Sequence, residues 1–532
     1  MGTGRFAARA RRLAWRAALI IALSAIGLGL SLQGDAQSPE VLQAAPQSTS
    51  DWPQLQFDAQ RSGHNPQPFN PTSFTLRWQR NIGAPMAGRI QPVIGGGVAI
   101  VGDLNGKVHA LSVGNGNPAW TYQTGAAILY TAAISQSRVF VGSHDGYLYA
   151  LDLSTGAKLW QTPVPKGIGG APLVWGDRVY VGGKNGYFYA FEAASGAEAW
   201  RFDTAATPSP SVRAPILSSP ALHPAQNLIF FAAENLKAYA LNLNGTLRWT
   251  FQMYGESAYD SWPVVSLRDN VVMFRTKSAY SFYSSLGLDD AELFCPGQSG
   301  TGCGSCASLD PTLFNSPSTT VSPGSAQWNE QHLDDGDSRV ESIDELFNAY
   351  PQRLTFYALD VDTGQHKLGR PAPVLWTGGG GRLGIMPVVN QSNGNVYTFW
   401  RTKWSRRDAI YFCRKWVDLG RLSFAESRPT LHFLPCPSGS GNQCDSFDFH
   451  FIGDETTVLS LAGDWLFMTG WYNTGAMHVV NGGSFNLSGG EGSGGSGDSA
   501  VPASIAGNMV YVKKASGGES RPIDTVVAYQ SQ

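Results

Sequence analysis

Three groups of residues in this chain have types and spacings that could do chemistry. The first is WRTKWSRRDAIYFCRKW at 400–416. Here Arg401, Lys403, Arg406, Arg407, Arg414 and Lys415 are set against Asp408 alone, with Trp400, Trp404 and Trp416 between them. Guanidinium and indole groups together bind anions and stack on sugars or aromatic ligands. They also anchor protein interfaces. Arg401, Trp404, Arg406 and Arg407 are therefore the candidate ligand-binding residues. The plainer alternative is a long hairpin whose charges are solvated and whose Trp400 and Trp416 pack inside the fold.

The second group lies in LDDGDSRVESIDELF at 333–347. Asp335, Asp337, Glu341 and Asp344 fall at ligand positions 3, 5, 9 and 12 of a calcium-type loop. Alternating oxygen ligands suit a hard cation. Leu333 and Ser338 stand where such a loop wants Asp and Gly, so calcium is a possibility set against an acidic helix start. The third group is six cysteines: Cys295, Cys303, Cys306, Cys413, Cys436 and Cys444. A lone Cys303-x-x-Cys306 is a weak metal signal, and no His follows it, which excludes covalent haem attachment there. His144, beside Asp145 in a Ser-His-Asp-Gly turn, reads as a surface residue. No nucleophile elbow, HExxH or phosphate loop is present, so no catalytic residue is assigned.

What must position these groups is a repeat. VAIVGDLNGKVHALSVGNGNPAW (98–120), VFVGSHDGYLYALDLSTGAKLW (139–160) and VYVGGKNGYFYAFEAASGAEAW (179–200) recur every 40 residues. Gly106, Gly146 and Gly186 are in register, as are Trp120, Trp160 and Trp200. Units of this size cannot bury their own faces and must stack. Val-Phe-Val and Val-Tyr-Val are strands by composition. Asn-Gly and Asp-Gly tolerate the positive φ of a tight hairpin. Tyr147, Tyr149 and Leu151 then alternate with Leu148 and Ala150, and Ser154-Thr155-Gly156 turns into a strand ending in Trp160. About four strands per unit is a propeller blade. An open β solenoid is the competing architecture.

The string VGSxDGxLYALDxxTGxxLW resembles the repeat of the PQQ-type β-propellers, most closely over 91–250. That family includes quinoprotein dehydrogenases and the lipoprotein that helps assemble outer-membrane barrels. DWPQLQFDAQRSGH (51–64) is similar to the lead-in such chains place before the first blade. The resemblance implies an axial quinone held by a stacking Trp, a disulfide of adjacent cysteines and calcium on Glu, Asn and Asp. This sequence has no adjacent cysteines and no matching ligand set. PQQ is therefore not expected, and a PQQ-dependent dehydrogenase is the third-ranked reading.

Further degenerate units follow at 228–249, 262–365 (interrupted by an insertion at about 285–353), 384–403, 457–471 and 504–530. The last lacks its Trp strand, and FTLRWQRNIG (74–83) supplies a spare one with Trp78. Joining the chain ends would close the ring and remove its edges. The expectation is an all-β propeller of eight four-stranded blades (seven being the alternative), filling 51–532.

Five arginines up to and including Arg16 and an apolar run at 17–32 read as a signal peptide over 1–36, with cleavage after Ala36. An uncleaved anchor is the alternative. Residues 37–50 read as a linker. No transmembrane span is expected in the mature chain, which would be periplasmic or extracellular. Export makes disulfides the default for the cysteines. Cys436–Cys444 and Cys295 with Cys303 or Cys306 are candidate pairs, Cys413 taking the remainder. Net charge is −2, which gives no reason to expect a nucleic-acid partner. The leading functional expectation is a non-catalytic scaffold for an envelope or extracellular protein. A ligand- or glycan-binding module using the 400–416 hairpin is the alternative.

Overall fold

The computed structural model describes residues 51–206, 213–255, 257–259, 261–276, 356–367, 386–408, 412–423, 430–433, 458–469, 474–480, 484–487, 502–515 and 523–532. These residues form eight sheets in chain order, antiparallel except that His64–Asn65 joins Val458–Ala462 in parallel, and their one helical element is the 3-10 turn Thr204–Ala206. The first sheet is Val93–Gly95, Val98–Gly102, Lys107–Ser112 and Pro118–Gln123, each strand pairing with the next. Sheets two to four repeat this plan from inner strands Ala133–Ser135, Leu173–Trp175 and Ala221–His223. Sheets five to eight start from Val264–Ser266, Val388–Val389, Val458–Ala462 and Ser504–Ala506. The first inner strand lies beside those of both the second and the eighth sheet, so the array is a closed propeller.

The junction between the chain ends forms as its residues suggested. Phe74–Asn81 runs antiparallel to Ile523–Ser531, with Trp78 opposite Ala528. The count of complete blades differs from expectation. Among the described residues seven sheets carry at least four strands, while the fifth has only Val264–Ser266, Val271–Arg275 and Phe356–Asp360. There are thus seven complete blades rather than eight. The fifth sheet is the one split by the long insertion, between Arg275 and Phe356. Residues 368–385, which would follow its third strand, lie outside the described set.

Five of the eight sheets are held to the next by an outer-strand tryptophan among the described residues. The indole Nε1 of Trp78, Trp120, Trp160, Trp200 and Trp249 donates to Val113, Leu153, Ala193, Leu243 and Val361 O, at 2.7, 2.8, 3.1, 2.9 and 2.8 Å. In each case the ring covers the turn glycine of the following sheet. At Gly156 (φ 73°) a Cβ would come within 2.5 Å of Trp120 Cε3, so only glycine fits that turn. The core between blades is aliphatic and aromatic, with Phe140, Tyr180, Phe188 and Phe230 fully buried. Burial of this kind, repeated at each interface, is what a unit too thin to have its own core requires.

Candidate functional site: a basic arm and a filled axis

The 400–416 segment is a β-hairpin much longer than a blade needs. Its strands, Val396–Asp408 and Phe412–Ser423, span 13 and 12 residues, against five or six for the second and third strands of the first four sheets. The neighbouring strand Val388–Val389 pairs only with Val396 and Tyr397, and Thr430–Phe433 only with Gly420–Ser423. Between these limits, from Thr398 to Leu419, the two arm strands pair with each other alone among the described residues. At roughly 3.3 Å per residue the arm runs on the order of 30 Å beyond the blade.

The register distributes the candidate residues. Trp404 is opposite Lys415, Lys403 opposite Trp416, Ser405 opposite Arg414 and Arg401 opposite Val417. Arg406 and Arg407 fall in the irregularity between Ser405 and Asp408, where the ladder skips. Bulges re-aim residues and interrupt pairing. The arm thus brings Arg401, Trp404, Arg406 and Arg407 onto one short two-stranded ribbon. Cys413 lies on its second strand. Cys295, Cys303, Cys306, Cys436 and Cys444, and the acidic set Asp335, Asp337, Glu341 and Asp344, lie outside the described residues. His144 is exposed in its turn.

The axis carries what sequence reading missed. Residues 51–65 are almost wholly buried despite being rich in Gln, Asp, Arg and His. They pass the inner strands in order, pairing with one homologous residue in each. Trp52 and Ile94 exchange backbone bonds of 2.9 and 2.8 Å. Ile134 N donates to Pro53 O (2.6 Å), and Val174 N to the Gln54 side chain (3.3 Å). Leu222, Val265, Val389 and Leu461 donate their N–H to Ala59, Gln60, Ser62 and Gly63 O, at 2.8, 3.0, 2.8 and 2.6 Å. The Asn65 amide closes the circuit on Ile505 O at 2.9 Å. An inner strand has no ladder partner on its axial side, and a buried N–H left unmade there is costly.

Arg61 is fully buried and spends its guanidinium on backbone carbonyls. Nε donates to Pro220 O, Nη1 to Leu55 O and Nη2 to Pro172 O, at 2.9, 2.8 and 3.0 Å. Asp58 accepts from Ser62 N (2.8 Å) and Ser62 Oγ (2.6 Å). Burial pushes Asp58 up to about 6, against the lowering by Ser62 and Arg61. Burial draws Arg61 down to about 9, partly restored by Asp58, so it remains cationic near neutrality. His64 is drawn down to about 4 by burial. Gln391 N donates to its Nδ1, which suits the neutral ring. Near this segment Leu55 packs with Tyr130 and Ala171, while Arg89 stacks over Tyr259 at 4.2 Å.

The quinone and calcium implied by the family resemblance can be tested against this donor set. Asp58 is the buried carboxylate of this segment, and it accepts from Ser62 at each of its oxygens. Among the described residues no three His, Cys, Asp or Glu side chains converge on a point that could hold a cation. The described residues do not fit a calcium-held quinone.

Comparison with known proteins agrees with the architecture. The family model described as outer membrane protein assembly factor BamB, a PQQ-type repeat model, matches residues 123–282. The described residues form a β-propeller, and part of the chain, residues 123–282, matches this PQQ-type repeat model. No curated protein matches the chain. Among solved structures, the quinohemoprotein alcohol dehydrogenase of Comamonas testosteroni is 15% identical, with 90% of this chain and 80% of that one covered, at a TM-score of 0.54. A europium-containing methanol dehydrogenase is 12% identical, with coverages of 91% and 99%, at 0.54. BamB from Moraxella catarrhalis is 15% identical, with coverages of 86% and 98%, at 0.43. At such identities the likeness is one of fold, and fold does not carry function.

Proposed function

We propose that the protein is an exported, non-catalytic scaffold that holds an envelope or extracellular protein on its basic arm. The observation that carries the reading is the hairpin Val396–Ser423, whose portion from Thr398 to Leu419 extends far beyond its blade with no other strand on either side among the described residues. Two open edges, with Arg and Trp interleaved along the sequence of both strands, suit strand addition by an acidic segment or a protein hot spot. The family model's printed role, assembly of outer-membrane proteins, is consistent with a partner-holding ring. The signal at 1–36 would deliver the chain to the compartment where its cysteines pair. Among the described residues no helix is long and apolar enough to cross a membrane.

The alternative is that the same residues, Arg401, Trp404, Arg406 and Arg407, bind an anionic ligand or a glycan. The double variant Arg406→Ala/Arg407→Ala separates the two. Loss of a captured protein with unchanged glycan-array binding supports the scaffold. Loss of glycan binding with no protein captured by the wild type supports the alternative. The fold likeness to dehydrogenases supplies a third test. A quinone-dependent alcohol oxidation by the purified protein with added PQQ and calcium would overturn the non-catalytic reading.

A further inference from the structure

We infer that the axial channel is a peptide-binding site whose resident occupant is the chain's own segment 51–65, and that this occupant exchanges as one unit. Three observations lead there. First, the ring does not need the segment for closure. Phe74–Asn81 closes the eighth sheet against Ile523–Ser531. Trp78 locks that sheet to the first through Val113 O, and the other tryptophans do the same at later interfaces. Removing 51–65 leaves those contacts in place.

Second, the segment is held as a peptide ligand is held. Its bonds to the ring run mostly backbone to backbone, one inner strand at a time, from Ile94 to Leu461. Side chains add selectivity at two places. Trp52 is fully buried in a cluster that includes Ile90 and Ile94 of the ring, and Arg61 donates to two ring carbonyls, Pro172 O and Pro220 O. The channel therefore recognises a short irregular peptide carrying a Trp and, nine positions on, an Arg.

Third, the occupant is imperfect. Gln56, Phe57 and Arg61 have φ of 55°, 73° and 56°, a region non-glycine residues avoid. Such backbone persists only while its surroundings impose it. Trp52 Nε1 and Gln56 Oε1 are buried with no hydrogen-bond partner among the described residues. Strain and unmade bonds weaken the hold without loosening the ring. The segment is followed by Pro66–Ser73, a connector exposed at Pro66, Pro68, Asn70 and Thr72 and anchored at Phe69 against Phe467.

Native-state hydrogen exchange on the intact protein tests the first half. The amides of Ile94, Ile134, Leu222, Val265, Val389 and Leu461 sit in six different sheets but share one occupant. They are expected to exchange with one common opening rate, at least tenfold faster than ladder amides such as those of Tyr149 and Tyr189. Arg61→Ala should accelerate all six together. Unrelated rates, or acceleration confined to the sheets of Pro172 and Pro220, would overturn the single unit.

The second half uses a protease site inserted at Asn70 in the full chain, then a fluorescein-labelled synthetic peptide of residues 51–65. After cleavage the labelled peptide should replace the resident fragment. Its Arg61→Ala version should bind at least tenfold more weakly. A cleaved ring that stays folded and takes up neither peptide refutes the proposal. So does a ring that unfolds on cleavage, because an exchangeable occupant must leave its site standing.

Discussion

Replacing Gly156 with Ala should damage the protein far more than one methyl group suggests, and the structure says by how much. Gly156 has φ of 73°, where an L side chain costs about 1 kcal/mol. Its added Cβ would also lie 2.5 Å from Trp120 Cε3 and 2.6 Å from Cδ2. Trp120 would have to move by about 1 Å to restore ordinary contact, and overpacking of that kind costs about 1–3 kcal/mol. Moving the ring also stretches its 2.8 Å bond to Leu153 O, worth about 1 kcal/mol net. The expected total is about 3 kcal/mol or more. Two controls divide the effect. Gly97 has φ of 80° but nothing within 4 Å of its Cβ position, so Gly97→Ala should cost about 1 kcal/mol. Gly114 has ordinary φ and only Ser112 Oγ, at 3.9 Å, so Gly114→Ala should stay within about 0.5 kcal/mol of wild type. Urea denaturation followed by tryptophan fluorescence reads all three, with midpoints compared at constant slope. If Gly156→Ala is no worse than Gly97→Ala, the Trp–Gly contact does not hold adjacent blades together, and the reasoning fails.

Three other outcomes follow from buried ionisable groups and from the arm. His366 is drawn down to about 4 by burial, while an unfolded histidine titrates near 6.5. The unfolded chain therefore binds more protons in that window, and stability should fall as pH drops from about 6.5 to 4. His366→Phe, which keeps the ring beside Phe251 and Tyr357, should make the acid limb of a thermal-melt pH series shallower; an unchanged limb refutes the assignment. Lys513 is buried with Nζ donating to Ala87 O at 2.7 Å, and burial holds its pKa well below normal. Stability should therefore rise as pH increases towards the unfolded lysine value near 10.4, and Lys513→Met should remove that slope in the same melts. Arg406→Ala/Arg407→Ala should leave the urea midpoint within about 0.5 kcal/mol of wild type, because these positions lie where the arm ladder skips.

The propeller was legible because its unit is regular. Asn-Gly and Asp-Gly turns, period-two strands and a tryptophan every 40 residues state the blade three times over. Trp78 could be matched to a terminal blade lacking its own tryptophan because the two halves complement each other. The number of complete blades was less legible, since the insertion after Arg275 divides the fifth unit and its outer strand has no recognisable repeat. The axial segment was legible only as a lead-in. Gln54, Asp58, Gln60 and Arg61 look like solvated loop residues, and no periodicity marks a peptide whose partners are eight different strands. The usable signal was a run of polar residues framed by Trp52 and His64, too compact to be a linker. The arm was legible as a basic, aromatic hairpin, but its length beyond the blade came from the pairing of Thr398–Leu419.

The most direct test of the scaffold reading is site-specific photocrosslinking in the cell that expresses the protein. A photoreactive residue is placed at Lys403 on the arm, with one at Asn115, in an exposed turn of the first sheet, as the control. The expected result is one envelope protein crosslinked from position 403 and not from 115, and lost in Arg406→Ala/Arg407→Ala. No protein crosslinked from the arm, together with PQQ-dependent alcohol oxidation by the purified chain, would contradict it.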